Sequence, residues 1–124
     1  MSRFPLNDMQ VLIVEDEYLL AYDLAHALQD LGATIAGPVP TVKEALALIQ
    51  SSGKPVDGAL LDVNLDGELV FPVADALMTL NIPFAFTTGY ERPVIPERYQ
   101  HAPRCEKPVD IQAIVRALGR GTAH

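Results

Sequence analysis

Short apolar runs that alternate with amphipathic segments constrain the fold of this chain more than any other feature. Val11–Val14 is a run of four apolar residues, too short for a buried helix and typical of a strand buried on both faces. The spacing then becomes helical over Glu17–Leu31, where leucines recur every three or four residues and Gly32 is placed as a stop. This change of period predicts a strand followed by a helix.

The same unit recurs along the rest of the chain. Thr41 and Glu44 form a capping-box pattern that predicts a second helix ending near Ser51. The remaining predicted elements are the strand Ala33–Val39, the buried strand Ala59–Leu61, a polar loop Asp62–Glu68, the helix Phe71–Leu80, the strand Pro83–Thr87, the short strand Arg104–Glu106 and a last helix capped by Asp110. This alternation predicts an α/β fold with a doubly wound five-stranded parallel sheet, whose strand carboxyl ends share one edge.

Prolines mark two irregular places in this pattern. Pro38 falls within the second strand, and a proline is tolerated only at the edge of a sheet or the end of a strand. Three more prolines interrupt Gly89–Pro103, where the fourth helix should lie, and leave only Glu97–His101 free to coil. We therefore expect a short or irregular fourth helix.

The composition limits the classes of function. The 124 residues include 9 Lys and Arg against 16 Asp and Glu, a net charge of −7, which disfavours nucleic-acid binding. No apolar run approaches the roughly 20 residues of a membrane-spanning helix, and Met1–Gln10 lacks a signal-peptide pattern. Cys105 is the single cysteine, so no internal disulfide can form and a buried filler role is expected. We expect a single cytoplasmic domain over residues 1–124, with no output domain and no membrane partner.

Charged and hydroxyl side chains follow four of the predicted strands. Glu15 and Asp16 come after the first strand, Asp62 after the third, Thr88 after the fourth and Lys107 after the fifth. Carboxylates gathered about 5 Å apart at one sheet edge would repel by roughly 3 kcal/mol per pair at an effective dielectric of about 20. A divalent cation offsets this repulsion, and oxygen ligands without His or Cys favour Mg²⁺. Lys107 and Thr88 add the two groups that a phosphoryl oxygen requires.

Each of these residues also has an ordinary structural explanation. Asp16 or Glu17 can favour the positive amino end of the first helix. Asp62 can be a turn residue, and Lys107 can be a surface lysine before Pro108. All these explanations would have to hold together, so the joint placement favours a functional site.

With these residues in place, the chain resembles a bacterial response regulator receiver domain over essentially its whole length. Receivers are the phosphoacceptor modules of two-component systems and have a flavodoxin-like, CheY-like fold. The resemblance implies that Asp62 is the phosphoacceptor, and that Thr88 and Lys107 are the switch hydroxyl and the lysine that hold the phosphoryl group. It assigns the Mg²⁺ site to Asp16, Asp62, the backbone carbonyl of Asn64 and, through a water molecule, Glu15. Lys107-Pro108 resembles a family feature that is often a cis peptide.

Two departures from the family pattern bear on signalling. Receivers usually carry an aromatic residue three positions before the lysine, where this chain has Arg104. The run Phe86–Tyr90 resembles the Phe-Ala-Thr-Gly-Tyr signature of a stand-alone subgroup, with Thr87 in the alanine position. Gly89 has no side chain to block a phosphodonor, and Tyr90 is a candidate gate beside it.

The resemblance implies a signalling protein and not an enzyme, with autocatalysed phosphotransfer and autodephosphorylation. Asp62 would accept a phosphoryl group from a sensor histidine kinase or a phosphotransfer protein in a Mg²⁺-dependent reaction. The signal would then leave through a change around Gly89–Pro103 to a downstream protein target. The sequence is equally compatible with a phosphate relay or a phosphate sink.

The sequence fits three other functions less well. An EF-hand loop that starts at Asp62 would have Val73 in place of its last ligand, a bidentate glutamate. A Mg²⁺-dependent phosphatase usually places its aspartate nucleophile after the first strand with a second aspartate two residues on, whereas here the first strand is followed by Glu15 and Asp16. A flavodoxin-like role in binding FMN is also disfavoured, because the carboxylates after the first strand would repel the phosphate of that cofactor. The alternative that stays open is a receiver-like protein-protein interaction module that works without phosphate.

Overall fold

The computed structural model describes residues 5–51, 53–89 and 94–119. Its elements in chain order are β1 (Gln10–Val14), α1 (Tyr18–Asp30), β2 (Thr34–Val39), α2 (Val42–Gln50), β3 (Gly58–Asp62), β4 (Asn64–Leu65), β5 (Glu68–Leu69), α3 (Phe71–Thr79), β6 (Phe84–Thr88), a 3₁₀ turn (Glu97–Tyr99), β7 (Arg104–Glu106) and α4 (Ile111–Leu118). Five strands form a parallel sheet in the order β2-β1-β3-β6-β7. The predicted α/β fold is therefore confirmed.

Helices cover both faces of this sheet, which explains why its central strands are continuous apolar runs. Every residue of β3 and β6 is buried, whereas the edge strands β2 and β7 are partly exposed. One core packs α2 and α3 against the sheet, and the other packs α1 and α4 against the opposite face. Cys105 is buried in the second core, as predicted. Within the described residues, no helix combines the length and the apolar character needed to cross a membrane.

Local signals in the sequence define several helix ends. Thr41 Oγ1 accepts a hydrogen bond from the Glu44 amide at 3.2 Å and donates one to the Glu44 carboxylate at 2.9 Å. Asp110 Oδ1 accepts a hydrogen bond from the Gln112 amide at 2.9 Å. The Thr41 cap and the Asp110 cap are both present, although the Glu44 carboxylate bonds the Thr41 hydroxyl, so α2 and α4 begin where the sequence predicts.

Both proline predictions agree with the described residues. Pro38 lies in β2, an edge strand, and follows a cis peptide bond at the point where the pairing with β1 shifts register. Between residues 94 and 103 the chain forms only the 3₁₀ turn, in place of a fourth α-helix. Tyr99 from this turn is fully buried in the first core.

The predicted polar loop Asp62–Glu68 needs correction, because it contains most of a small hairpin. Strands β4 and β5 pair antiparallel, with Asn64 opposite Leu69 and Leu65 opposite Glu68. Asp66 and Gly67 turn the chain with φ values of 54° and 93°, the conformation that an Asp-Gly pair favours. The hairpin projects beside the end of β3.

Candidate functional site

The candidate site lies where the order of the strands reverses. The chain passes from β1 outward to β2, and then returns to build β3, β6 and β7 on the other side. Such a reversal leaves a crevice at the strand carboxyl ends. A cleft of about 410 Å³ opens there, lined by Asp16, Glu17, Asp62, Asn64, Asp66, Gly67, Gly89 and Lys107. The topology therefore brings most of the predicted site residues together.

Three carboxylates meet at the base of this cleft. One oxygen each from Glu15, Asp16 and Asp62 lies within 4.8 Å of the other two. Glu15 and Asp62 are only 3% and 6% exposed, because Glu15 directly follows β1 and Asp62 ends β3, both in the middle of the sheet. Like charges at this separation are unfavourable unless a cation is close to them.

Lys107 supplies a positive charge between two of these carboxylates. Its Nζ lies 3.0 Å from Glu15 Oε1 and 3.3 Å from Asp62 Oδ2. The Lys107 amide donates to the Thr88 carbonyl at 2.8 Å, which fixes the lysine backbone beside the end of β6. The peptide bond between Lys107 and Pro108 is cis, in agreement with the family resemblance.

The surroundings of Asp62 raise the pKa of its carboxyl group well above the ordinary value. Burial, followed by the neighbouring Glu15 carboxylate, raises the pKa of Asp62 to about 8, and Lys107 opposes only part of this effect. Burial by itself would lower the pKa of Lys107, but Glu15 and Asp62 raise it above its ordinary value. Lys107 therefore stays charged, but its single positive charge does not balance the cluster of three carboxylates.

Glu15 has the oxygen arrangement of a group that is only partly satisfied. Its Oε2 accepts a hydrogen bond from the Glu17 amide at 3.0 Å, just before α1 begins. Its Oε1 is buried and accepts no hydrogen bond from the described residues, although the Lys107 ammonium is near it. Glu17 occupies the N-cap position of α1 without a side-chain capping bond. The side chain of Glu17 thus does not cap α1, and the carboxylate that bonds at this helix start is that of Glu15.

The other predicted residues differ in whether they line the cleft. Thr88 is buried at the end of β6, and its side chain does not line the cleft. Gly89 is exposed and lines it, and a Cβ there would meet no atom within 4 Å. Tyr90 lies outside the described residues. Arg104 points outward and donates a hydrogen bond to Gln100 Oε1 at 2.6 Å.

Sequence reasoning missed two features that surround the site. The hairpin β4-β5 adds Asp66 to the cleft, and the Asp66-Gly67 pair was the signal for it. Tyr99 stacks on Phe71 with ring centroids 5.0 Å apart and meets the edge of Phe86 at 6.0 Å. Nothing in the proline-rich segment indicated that this tyrosine enters the core.

Comparisons with known proteins bear on the family of the chain. No protein-family model matches it. The solution structure of SdrG from Sphingomonas melonis Fr1 is 41% identical, covers 95% of this chain and 96% of its own, and has a TM-score of 0.78. The BeF3-activated conformation of SdrG from Pseudomonas melonis Fr1 is 39% identical, with coverage of 94% and 96% and a TM-score of 0.71. The PhyR response regulator REC domain from Erythrobacter litoralis is 27% identical, with coverage of 90% and 87% and a TM-score of 0.74.

The chain belongs to the response regulator receiver family. It also aligns with the Phyllosphere-induced regulator PhyR of Methylorubrum extorquens, at 32% identity over 118 residues. That alignment takes in 86% of this chain and 42% of PhyR, so the receiver spans less than half the length of this curated relative.

Proposed function

We propose that this receiver accepts a phosphoryl group on Asp62 from a phosphohistidine and signals to a protein partner. The observation that carries the proposal is the contact of Lys107 with both Glu15 and Asp62 at the base of an acidic cleft. A lysine in this position can hold an anion that arrives on Asp62, because its charge is already directed at that carboxylate. The relative SdrG has a BeF3-activated conformation, which supports the same use of the site.

The residues present fit a magnesium ion. The cluster offers carboxylate oxygens without His or Cys, and three of these carboxylates lie within 4.8 Å of one another, two of them paired with the Lys107 ammonium. We assign the ligands as Asp16, Asp62 and the backbone carbonyl of Asn64, with Glu15 acting through a water molecule. When bound, Mg²⁺ would neutralise charge on the transferred phosphoryl group.

Residues of the chain itself supply the nucleophile, hold the phosphoryl group in position and provide a positive charge beside it. One Asp62 oxygen attacks the phosphorus atom while the bond from phosphorus to the donor imidazole breaks, and the electron pair of that bond stays with the imidazole nitrogen. Lys107 and the Thr88 hydroxyl hold the remaining phosphoryl oxygens, so transfer depends mainly on position and electrostatics. Occupation by phosphate brings the Thr88 hydroxyl, now outside the cleft lining, toward it. Water later hydrolyses the acyl phosphate, so the protein is a phosphoacceptor and not an enzyme with an external product.

The surroundings of the cleft suit a protein donor. Tyr18 and Leu19, at the start of α1, are 70% and 78% exposed. An exposed apolar pair beside an acidic cleft suits docking by a sensor histidine kinase or a phosphotransfer protein. With a net charge of −7, we propose a downstream protein target in the cytoplasm and no nucleic-acid partner.

Phosphorylation by a small donor tests this proposal. We expect acetyl phosphate with Mg²⁺ to add the mass of one phosphoryl group to the wild-type protein, and the bond to be cleaved by hydroxylamine as an acyl phosphate. Asp62→Asn should abolish the adduct, because the amide is not a nucleophile. Asp66→Asn is the matched control, since it changes a second acidic residue in the lining of the same cleft.

Two results would contradict the proposal. One is an adduct of equal yield in Asp62→Asn. The other is a folded wild-type protein that takes up no phosphoryl group from acetyl phosphate or from a phosphohistidine protein. The second result would favour the phosphate-independent interaction module.

A further inference from the structure

The hairpin β4-β5 carries Asn64, so the contacts that hold the hairpin also position the Asn64 carbonyl. Each strand has only two residues. A two-stranded ribbon is marginally stable on its own, even when it is longer than this. The position of the hairpin beside Asp62 must therefore come from contacts with the rest of the protein.

Local contacts hold the base and the turn of the hairpin. The Val70 amide donates to the Val63 carbonyl at 3.0 Å and closes the base. Asn64 Oδ1 accepts from the Gly67 amide at 2.7 Å and stabilises the turn. Leu65 is buried in the first core. The base and turn bonds join residues of the hairpin region to one another, whereas the Val63 amide donates to the Thr87 carbonyl at 3.3 Å and connects the base to β6. Neither this bond nor the packing of Leu65 holds the second strand of the hairpin.

Glu68 makes a contact of a different kind. Its Oε1 accepts a hydrogen bond from the Val42 amide at 3.2 Å, across 26 residues of sequence. Val42 is the first residue of α2, where the amide has no partner within the helix and the helix dipole favours a negative charge. The helix is already capped by Thr41, whose hydroxyl bonds both the amide and the carboxylate of Glu44. Glu68 is thus not required to start α2, and its bond ties the hairpin to that helix.

We propose that Glu68 is a positioning residue for the metal site, acting through the hairpin on the Asn64 carbonyl. This inference rests on the proposed function, because it assumes that the carbonyl is a ligand for Mg²⁺. Without the bond to α2, the hairpin would sample more orientations, and binding of the ion would have to order it. The loss should therefore appear in Mg²⁺ affinity.

The test measures the Mg²⁺ dissociation constant by amide NMR titration of the full chain. Glu68→Ala should raise the constant by about two- to tenfold, the range that corresponds to the loss of one hydrogen bond. Glu68→Gln should restore most of the affinity, because the amide oxygen can still accept from Val42. Glu44→Ala is the matched control, since it removes one negative charge and one capping bond from the same helix end without touching the hairpin. Its dissociation constant should equal that of the wild type.

The outcomes separate this inference from the proposed function. A wild-type protein without a saturable Mg²⁺ response overturns both. If the wild type binds Mg²⁺ and Glu68→Ala binds it with equal affinity, this inference alone is overturned. A similar loss in Glu44→Ala also overturns it, because charge or helix stability would then explain the effect. Melting temperatures measured without Mg²⁺ show that each variant is folded.

Discussion

Asp62 ends a fully buried strand beside Glu15, and this setting determines its protonation. Burial and the Glu15 carboxylate raise the pKa of Asp62 to about 8, from an ordinary value of 3.8. Between these two pH values the folded chain keeps a proton that the unfolded chain has lost. The free energy of unfolding of the metal-free protein therefore falls as the pH rises through that window.

This linkage predicts how Asp62→Asn changes stability. The variant should lose the pH-dependent decrease, so its stability relative to wild type should grow with pH, by up to about 1.4 kcal/mol per pH unit, the limit for one proton. Mg²⁺ should stabilise the wild type and not the variant. Urea unfolding from pH 4 to pH 9, with and without Mg²⁺, measures both effects. Parallel pH curves for the two proteins would show that the acidic cluster is not under strain.

Lys107 is the second residue whose role follows from its contacts. Lys107→Ala should leave the protein folded, because its backbone bond to Thr88 does not need the side chain. The variant should be phosphorylated more slowly, or should lose the conformational response, because no ammonium group faces Glu15 and Asp62. Phosphorylation rate and amide spectra measure the two properties. Lys43→Ala, an exposed lysine on α2, is the control, and Lys107→Ala behaving like it would remove Lys107 from the site.

At the scale of elements, Tyr99 stabilises a segment that has no full helix. Its ring stacks on Phe71, and its hydroxyl donates to Asp75 on α3. Arg98 lies over the same ring and pairs with Asp75 at 3.3 Å. These contacts join residues 97–99 to α3 and to the aromatic residues of the sheet.

Tyr99→Phe and Tyr99→Ala separate the hydrogen bond from the packing. The phenylalanine variant keeps the stacked ring and should lose about 1–2 kcal/mol of unfolding free energy with the bond to Asp75. The alanine variant should lose about 3–5 kcal/mol, because it leaves a cavity in the core. Urea unfolding measures both, with the exposed Tyr22→Phe as control. Equal stability of wild type and Tyr99→Ala would mean that Tyr99 does not anchor this segment.

The elements differ in how far the sequence could predict them. Strands β3 and β6 and helix α3 were placed to within about two residues, because apolar runs and helical spacing report directly on burial. The hairpin was missed because strands of two residues are too short to show a period, although Asp66-Gly67 marked its turn. The burial of Tyr99 depends on Phe71 and Phe86, which are distant in sequence, so no local pattern shows it.

The sequence predicts which residues form the site, but not the distances and contacts between them. Parallel topology brings Glu15, Asp62 and Lys107 to one edge whatever their side-chain conformations. The bridging position of Lys107, the partly satisfied Glu15 carboxylate and the high pKa of Asp62 depend on separations of a few ångströms. Such distances follow from packing of the whole sheet and cannot be read from spacing along the chain.

At the scale of the whole molecule, the sheet links the acidic cleft to the segment after β6. Asp62 pairs in register with Thr87 on β6, and Phe86 of the same strand contacts Tyr99. A change at Asp62 therefore has a path of neighbouring residues through Thr87 and Phe86 to Tyr99, which lies within residues 94–103. We infer that phosphorylation alters this surface, where a partner would detect it.

An amide NMR titration with Mg²⁺ and then beryllofluoride, comparing wild type with Asp62→Asn, tests whether Asp62 is the phosphoacceptor. Beryllofluoride mimics the aspartyl phosphate and needs an intact aspartate. In the wild type we expect shifts that spread from Asp62 through Thr88 into residues 94–103, and in Asp62→Asn we expect none. A folded, Mg²⁺-binding wild-type protein that does not respond to beryllofluoride, or a response retained in Asp62→Asn, would contradict the assignment of Asp62 as the phosphoacceptor.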